Sequence, residues 1–323
     1  MPFEIIQLTS FKVNNNKRAL ALGMFDGLHK GHSFLIRELI NKAKEKNLIP
    51  CATTFKESPL KWTNPSLETQ LITSLDERLL LFRELGLAEI IIFDFPALNE
   101  LEPEVYFKDI LLKRLNCAYL TCGLNHTFGK EKKGNIDLLK TYLAELNGQF
   151  EFEVCEPIYT ENQNIISSSQ IRQLLKIGKI KEANQLLGHH FLVYGAVRAG
   201  NQIGRKLGFP TLNLAYNPEK VKIPSGVYAG YTQIQHKNYL SAVNIGLAPT
   251  INNNLNSAPI IESHLLEPLP EELNLKIGEN LKIELLEFMR PEHKFDSIDN
   301  LKKQISLDCQ NIRKLKNTYI NSI

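Results

Sequence analysis

The sequence lacks long hydrophobic runs, paired cysteines and a strong excess of either charge. No apolar segment approaches the roughly 18 residues of a membrane-spanning helix, and the start, MPFEIIQLTS, lacks the basic and apolar regions of a signal peptide. The 5 cysteines are odd in number and form no Cys-x-x-Cys pair. These absences exclude a membrane protein, a secreted disulfide scaffold and a zinc ribbon, and they predict a cytoplasmic protein.

Charge is nearly balanced, because 38 Lys and Arg residues are offset by 35 Asp and Glu residues. The resulting net charge of +3 is too small to indicate a dedicated nucleic-acid binder. With 323 residues, the chain is longer than one hydrophobic core usually serves, so two domains are expected.

In the first half, short apolar runs alternate with amphipathic helical patterns. Strands are predicted at 18–25, 48–55, 88–95, 117–123 and 150–157, with helices between them. This alternation is typical of a Rossmann-like domain with a parallel, doubly wound sheet, whose ligands bind at the carboxyl ends of the strands.

From about residue 189 the helical period disappears. Six strands are predicted, at HFLVYGAVR, GFPTLNLAY, GVYAGYTQIQ, NYLSAVNIG, APIIESHLL and ENLKIELLEF. Their short spacing indicates a small antiparallel β-barrel, with a hairpin turn at 236–238 and a C-terminal helix over 296–323. The change of period predicts two domains, an α/β domain over 1–187 and an all-β domain over 188–323.

The segment GMFDGLHKGH (23–32) connects the first predicted strand to the first helix. Glycines such as Gly23 let the backbone approach a ligand, and a helix N-terminus favours phosphate. His29 and His32 lie three residues apart there, so both imidazoles can face one anion. The same residues could form a plain turn with surface histidines, but their position at a strand–helix junction favours a nucleotide site.

Two further segments of the first half carry polar side chains. In IISSSQIR (165–172), three serines precede Arg172, which suits phosphate binding as well as ordinary helix capping. The glycine-bounded loop GLNHTFGKEKKGN (123–135) carries three lysines, which alone indicate only a solvated surface.

In the second half, the segment GRKLGFPTLNL (204–214) places Thr211 and Asn213 on one side of a strand. A hydroxyl and an amide oxygen are hard ligands suited to Mg²⁺. Glu262 is a carboxylate within an apolar strand and could act as a base at the mouth of the barrel. Considered alone, a Thr-x-Asn pair in a strand is far more often structural, and an outward-facing position is the default for Glu262.

The motif G-x-F-D-G-x-H-x-G-H at 23–32, followed by I-S-S-S-x-I-R at 166–172, resembles the adenylyltransferase module of bacterial bifunctional riboflavin kinase/FMN adenylyltransferases (FAD synthetases), which are HxGH nucleotidyltransferases. The resemblance implies that His29 and His32 contact the ATP phosphates. It further implies a nucleotide site formed by Phe25, Asp26, Ser168 and Arg172.

Two segments depart from this family's pattern. Thr54–Pro59 has Ser58 where the family's T-F-x-P-H-P has histidine. In the segment that corresponds to G-x-D-F-R-F-G, Asn125 replaces aspartate and keeps its hydrogen-bonding capacity, whereas Thr127 lacks the arginine charge.

The second half resembles riboflavin kinase through motifs that occur in the same order. They are V-x-x-G at 197–200, G-R-K-L-G-F-P-T-x-N at 204–213, P-S-G-V-Y-A at 224–229, N-I-G-x-x-P-T at 244–250, E-S-H-L-L at 262–266 and R-P-E-H-K-F-D-S at 290–297. The resemblance implies that Thr211 and Asn213 bind Mg²⁺–ATP and that Glu262 activates the ribityl hydroxyl. The site would be completed by Gly200, Arg205 and Gly208, which cover the ATP phosphates.

Together, these resemblances imply an FAD synthetase that uses Mg²⁺ and ATP to convert riboflavin to FMN and then FMN to FAD. The expected partners are these small molecules, with client flavoproteins possible and no membrane or nucleic acid. Two alternatives stay open. One is a riboflavin kinase whose nucleotidyltransferase domain is weakened or regulatory, and the other is a non-catalytic flavin- or RNA-binding regulator.

Overall fold

A computed structural model describes the chain at residues 3–64, 70–146, 150–200, 204, 207–247, 259–268 and 275–320. The chain divides into two compact units. The first comprises Met1–Leu71 and Leu75–Ser168, and the second comprises Ile72–Ser74 and Ser169–Ile323. Residues 169–187 therefore group with the second unit, and the domain boundary expected between residues 187 and 188 stays a prediction.

The first unit is built on a parallel sheet of six strands. They are β1 (Glu4–Gln7), β2 (Arg18–Leu22), β3 (Ile49–Phe55), β4 (Glu89–Phe93), β5 (Cys117–Gly123) and β6 (Glu151–Cys155). The strand order is β1-β4-β3-β2-β5-β6, and every neighbouring pair is parallel. This confirms the expected fold of the first half and adds β1, which the apolar pattern did not reveal.

Helices and turns connect these strands. They are α1 (Lys30–Glu45), α2 (Leu60–Thr63), α3 (Leu75–Leu85), α4 (Phe95–Asn99), α5 (Pro103–Val105) with a π-helix over Tyr106–Arg114, α6 (Ile136–Ala144), and 3₁₀ turns at Leu8–Ser10 and Lys130–Lys132. Helix α1 is amphipathic and buries Leu35, Ile36, Leu39 and Ala43 along one face. Strands β2 and β4 are buried along their whole length, as expected of a sheet covered on both faces.

The strand order fixes where a ligand binds in such a sheet. After β2, the chain adds β3 and β4 on one side, and it later adds β5 and β6 on the other side. The direction of winding therefore changes between β2 and β5. In open parallel sheets, ligands bind beyond the carboxyl ends of the strands at this switch point.

The second unit contains a closed barrel and, among its described residues, the helices and strands named next. The helices are α7 (Ser168–Lys176, whose first residue belongs to the first unit), α8 (Ile180–Leu187) and α9 (Ile298–Ile320), and the strands are β7 (Phe191–Arg198), β8 (Thr211–Ala215), β9 (Gly226–Ile234), β10 (Lys237–Leu247), β11 (Pro259–Leu265) and β12 (Asn280–Pro291). The barrel order is β10-β11-β8-β7-β12-β9, with antiparallel neighbours throughout. The expected six-stranded antiparallel barrel with a C-terminal helix is confirmed.

The hairpin between β9 and β10 turns earlier than expected. Lys237 already pairs with Ile234, so the turn consists of Gln235 and His236 and does not extend over 236–238. Both turn residues have positive φ, at 46° and 68°. Two-residue turns of this kind match the right-handed twist of the flanking strands, which explains the tighter connection.

Candidate active sites

A tight loop follows β2 and leads into α1. Phe25 (φ 53°), Gly27 (φ 82°) and Leu28 (φ 36°) adopt the left-handed backbone region, which bulky residues rarely occupy. A Cβ atom on Gly23 would lie 2.9 Å from the Phe25 ring, so glycine lets this ring fold back over the end of the strand. Backbone strain of this kind is concentrated at functional sites.

His29 and His32 meet at the start of α1. The His29 Nδ1 accepts a hydrogen bond from the His32 backbone N–H at 3.4 Å, which leaves Nε2 of His29 as its donor. The two rings stack with centroids 3.6 Å apart. Burial, reinforced by repulsion from His29, holds the pKa of His32 well below its ordinary value. His32 is therefore a neutral imidazole, and its Nδ1 is buried with no hydrogen-bond partner among the described residues.

The serine run reaches the same loop. The Ser168 hydroxyl donates a hydrogen bond to the backbone carbonyl of Asp26 at 2.9 Å, although 142 positions separate the two residues. Asp26 itself is buried. The structure thus joins the motif at 23–32 to the serine run, while Arg172 lies half-buried on α7 in the second unit.

The loop over 124–135 leaves the carboxyl end of β5, beside β2 at the switch point. Asn125 and Thr127 are exposed there, so both are accessible to a ligand. The His126 ring lies parallel to the Phe128 ring with centroids 5.9 Å apart, and its Nε2 is buried with no hydrogen-bond partner among the residues described. Burial lowers the pKa of His126 to about 4.

In the second unit, polar side chains align across three neighbouring strands. Asn213 on β8 is the direct partner of Glu262 on β11, and Glu262 is the partner of Asn244 on β10. Directly paired residues lie on the same face of a sheet, so these three side chains form one row. Thr211 lies two residues before Asn213 on β8 and shares that face.

A cavity of about 690 Å³ is lined by Thr211, Glu262 and Asn244. Its other lining residues are Gly204, Leu207, Phe209, Val227, Ala242, His264, Arg290, Glu292, His293, Lys294, Phe295, Leu301, Ile305 and Asp308. Burial and then the neighbouring Glu292 raise the pKa of Glu262, whereas a hydrogen bond from Asn244 opposes this rise. A carboxylate with a raised pKa in a cavity is suited to accept a proton from a bound hydroxyl.

The glycines expected to surround ATP differ in their surroundings. Gly200 packs against the Asn213 amide, because a Cβ on Gly200 would lie 2.6 Å from Asn213 Cγ. Gly208 has φ +89° and open space where a Cβ would be. Arg205 lies outside the described residues, and its expected contact with ATP phosphates stays a prediction.

Sequence reasoning missed two pairs that support the second site. Asn244 donates a hydrogen bond to Glu292 at 3.1 Å. Arg290 contacts both carboxylate oxygens of Asp308 on α9 at 2.7 to 3.1 Å. The motif at 290–297 contains Arg290 and Glu292, but nothing in the sequence indicated their partners.

Two arrangements suited to phosphate chemistry therefore occur in one chain. The first unit places a histidine pair at a helix start, at an edge of the sheet where nucleotides bind. The second places a carboxylate and hard oxygen donors around a cavity. Fold and sites together define a nucleotide-dependent transferase with two modules.

Comparison with known proteins identifies both modules. The FAD synthetase family profile matches residues 11–170, and the riboflavin kinase profile matches residues 187–316. A bifunctional riboflavin kinase/FMN adenylyltransferase from Buchnera aphidicola subsp. Schizaphis graminum is 32% identical over 95% of this chain and 96% of its own. Its counterpart from Bacillus subtilis is 33% identical over 93% of this chain and 92% of its own. The chain belongs to the family of bifunctional riboflavin kinase/FMN adenylyltransferases.

A solved structure shares the fold over nearly the whole chain. It is the crystal structure described as a macrolide-efflux protein from Streptococcus pneumoniae, with a TM-score of 0.78 and 29% identity over 96% of this chain and 98% of that one. The expected family, fold class and transferase class are therefore confirmed. Within the described parts of the chain, no helix is both long enough and apolar enough to span a membrane.

Proposed function

We propose that the chain makes FMN from riboflavin and ATP, and then FAD from FMN and a second ATP with release of pyrophosphate. One observation supports this proposal above all. Each unit assembles its own residues suited to phosphate chemistry, the stacked His29–His32 pair in the first and Thr211 with Glu262 in the second. We assign adenylyl transfer to residues 1–187 and riboflavin phosphorylation to residues 188–323.

In the kinase reaction, Glu262 is the general base. It accepts the proton of the riboflavin hydroxyl as the hydroxyl oxygen attacks the γ-phosphorus of ATP in line with the departing ADP. Its raised pKa makes it a stronger base than an exposed carboxylate. Asn244 is paired with Glu262 on the neighbouring strand and lines the same cavity, so its amide lies beside the carboxylate.

Thr211 and Asn213 supply donors that fit Mg²⁺. A hydroxyl and an amide carbonyl are hard oxygen ligands, and Mg²⁺ commonly completes its shell with water and phosphate oxygens. Asn213 Nδ2 donates to the Thr211 carbonyl at 3.4 Å, so its Oδ1 is the atom that remains to bind a cation. Thr211 and Asn213 would hold the ion, which would supply positive charge to stabilise the phosphoryl group during transfer. The backbone at Gly200 and Gly208, with Arg205, covers the ATP phosphates.

Adenylyl transfer needs no protein nucleophile. The FMN phosphate attacks the α-phosphorus of ATP, the bond to the bridging oxygen breaks, and pyrophosphate leaves with the electron pair. His29 and His32 donate hydrogen bonds to the phosphate oxygens on which charge develops, and the α1 N-terminus adds its dipole. Ser168 completes the phosphate contacts within this unit, and the contribution expected of Arg172 stays a prediction.

The nucleotide itself is held by the loop between β2 and α1. We assign Gly23, Phe25 and Asp26 to its walls, since the strained backbone over 23–28 forms the edge of the switch-point crevice. Asn125, exposed on the loop after β5, contributes a hydrogen bond from the opposite side of that crevice.

The test is to incubate the chain with riboflavin and Mg²⁺–ATP and to separate the products by chromatography. We expect FMN as an intermediate and FAD as the end product. FMN alone would indicate the kinase-only alternative, in which Ser58 and Thr127 reflect a weakened first module. No flavin nucleotide at all would indicate a non-catalytic regulator.

The setting of this activity follows from its substrates. Riboflavin, FMN and ATP are small soluble molecules, and the five cysteines are all free thiols, which suits a reducing cytoplasm. We therefore propose a cytoplasmic enzyme whose product passes to client flavoproteins, with no membrane or nucleic-acid partner.

A further inference from the structure

Arg78 on α3 is a fully buried charge close to the first site. Its Nη2 donates to the Phe55 carbonyl at 2.8 Å, and its Nη1 donates to the Met24 carbonyl at 3.3 Å. These carbonyls lie at and just beyond the carboxyl ends of the adjacent strands β3 and β2. A guanidinium presents two nitrogen atoms in a fixed fork and so bridges two such acceptors, whereas an ammonium group has to donate to both from one nitrogen.

The Met24 carbonyl is held twice. It also accepts a hydrogen bond from the Thr54 hydroxyl at 2.8 Å. Two donors on one oxygen fix the orientation of the peptide plane between Met24 and Phe25. Phe25 follows directly with φ 53°, a conformation that persists only where its surroundings impose it.

The same helix supports the Phe25 side chain. Phe82, one turn after Arg78 on α3, meets the Phe25 ring edge to face with centroids 5.7 Å apart. The Phe25 ring in turn meets the His32 ring edge to face at 5.2 Å. Continuous contacts therefore run from α3 through Met24 and Phe25 to His32, all within the first unit.

We propose that Arg78 is a positioning residue for adenylyl transfer. It fixes the backbone at Met24, and Phe82 fixes the Phe25 ring, so that the His32 imidazole is held at the phosphate site before ATP binds. The proposal rests on the proposed function for its effect on rate. Its structural content, that Arg78 sets the environment of the His32 ring, is measurable without turnover.

The first test compares Arg78→Met with Arg83→Met in single-turnover adenylylation of FMN. Arg83 is an exposed arginine on the same helix, so its variant controls for loss of charge. We expect Arg78→Met to lower the rate constant by about 10- to 100-fold, the usual effect of a small misplacement of a reacting group. The amplitude of the single-turnover reaction should stay full, because every folded molecule still reacts, only more slowly. A merely structural role would instead reduce the fraction of active molecules. Equal rate constants in the two variants would refute the proposal.

A double-mutant cycle tests whether Arg78 acts through His32. In the His32→Ala background, Arg78→Met should lower the rate constant little further, because the effects of coupled residues are not additive. If the rate constant of the double variant falls by the product of the two single reductions, the proposal is contradicted. Arg78→Lys restores the charge but supplies its donors from a single nitrogen atom, so we expect an intermediate rate. Phe82→Leu provides a second variant should Arg78→Met fold poorly.

The closing experiment records the imidazole ¹⁵N resonances of His32 by NMR, assigned through His32→Ala. We expect them to shift in Arg78→Met and in Phe82→Leu, and to stay in place in Arg83→Met. Unmoved His32 resonances in both α3 variants would overturn the positioning role. If the unmodified chain makes no FAD, the proposed function fails, but this spectroscopic comparison still decides the role of Arg78.

Discussion

The imidazole rings of His29 and His32 stack with centroids 3.6 Å apart and planes inclined by 18°. This stack forms because His29 caps α1 and His32 lies one turn further on the same helix. Burial keeps His32 neutral, since its pKa lies well below the ordinary value. We therefore propose that the pair acts on phosphate by donating hydrogen bonds, with the helix dipole adding to the effect.

We predict that His32→Ala lowers the turnover of FMN to FAD by about 10²–10³-fold, the effect of removing one donor that stabilises developing charge. The apparent ATP requirement should change far less, because the lost interaction is stronger in the transition state than in the ground state. Riboflavin phosphorylation serves as the internal control and should stay within a few-fold of the unmodified chain. Unchanged FAD production in His32→Ala would show that the loop at 23–32 is only a turn.

Glu262→Gln keeps the shape of the side chain and removes the proposed base. We predict that FMN formation from riboflavin falls by about 10²–10⁴-fold, the usual contribution of a positioned general base. FMN supplied directly should still be converted to FAD. Equal loss of both activities would contradict the assignment of separate sites.

The lowered pKa of His126 predicts that the stability of the fold depends on pH. Burial lowers its pKa to about 4 from an ordinary value of 6.5, so the folded chain binds fewer protons than the unfolded chain between these values. Stability should therefore fall as the pH drops from about 6.5 to about 4. We expect His126→Phe to weaken this loss, measured as the thermal midpoint at pH 7 and pH 5. An identical acid-induced drop in both proteins would rule out a contribution from His126.

The barrel unit should fold and phosphorylate riboflavin by itself. A fragment of residues 169–323 keeps α8, where Asn184 donates to the Leu285 carbonyl at 2.8 Å and accepts from the Phe191 N–H at 2.7 Å. A fragment of residues 188–323 lacks these contacts, so we expect it to convert riboflavin with a lower thermal midpoint. A folded 169–323 fragment without kinase activity would contradict independent modules.

Local patterning predicted most of the fold and failed where pairing is non-local. Five strands of the sheet and all six of the barrel were expected from apolar runs and their breakers. β1 was missed because it has only four residues, three of them exposed, and it becomes a strand through pairing with β4. Arg18 likewise lies in a strand expected to be buried, and its partner Glu89, 71 positions away, could not be inferred.

For the candidate sites too, local motifs were predicted and non-local contacts were missed. Motif spacing predicted the histidine pair. The hydrogen bond from Ser168 to Asp26 brings together two motifs that lie far apart in the sequence. Arg78 gave no signal, because a single arginine in an amphipathic helix usually faces solvent. The hydrogen bond from Asn244 to Glu292 depends on how the barrel closes, which no local pattern encodes.

The most direct test measures which phosphorus atoms of ATP enter FAD, using ATP labelled at two positions. The chain is incubated with riboflavin, Mg²⁺ and ATP that carries one isotope at the α-phosphorus and another at the γ-phosphorus, and FAD is isolated by chromatography. If one chain performs both steps, each FAD carries one γ-derived phosphorus on the riboflavin side and one α-derived phosphorus on the adenosine side, in a ratio of about one to one. FMN that carries only the γ-label, with no doubly labelled FAD, would contradict the claim that both activities reside in this chain.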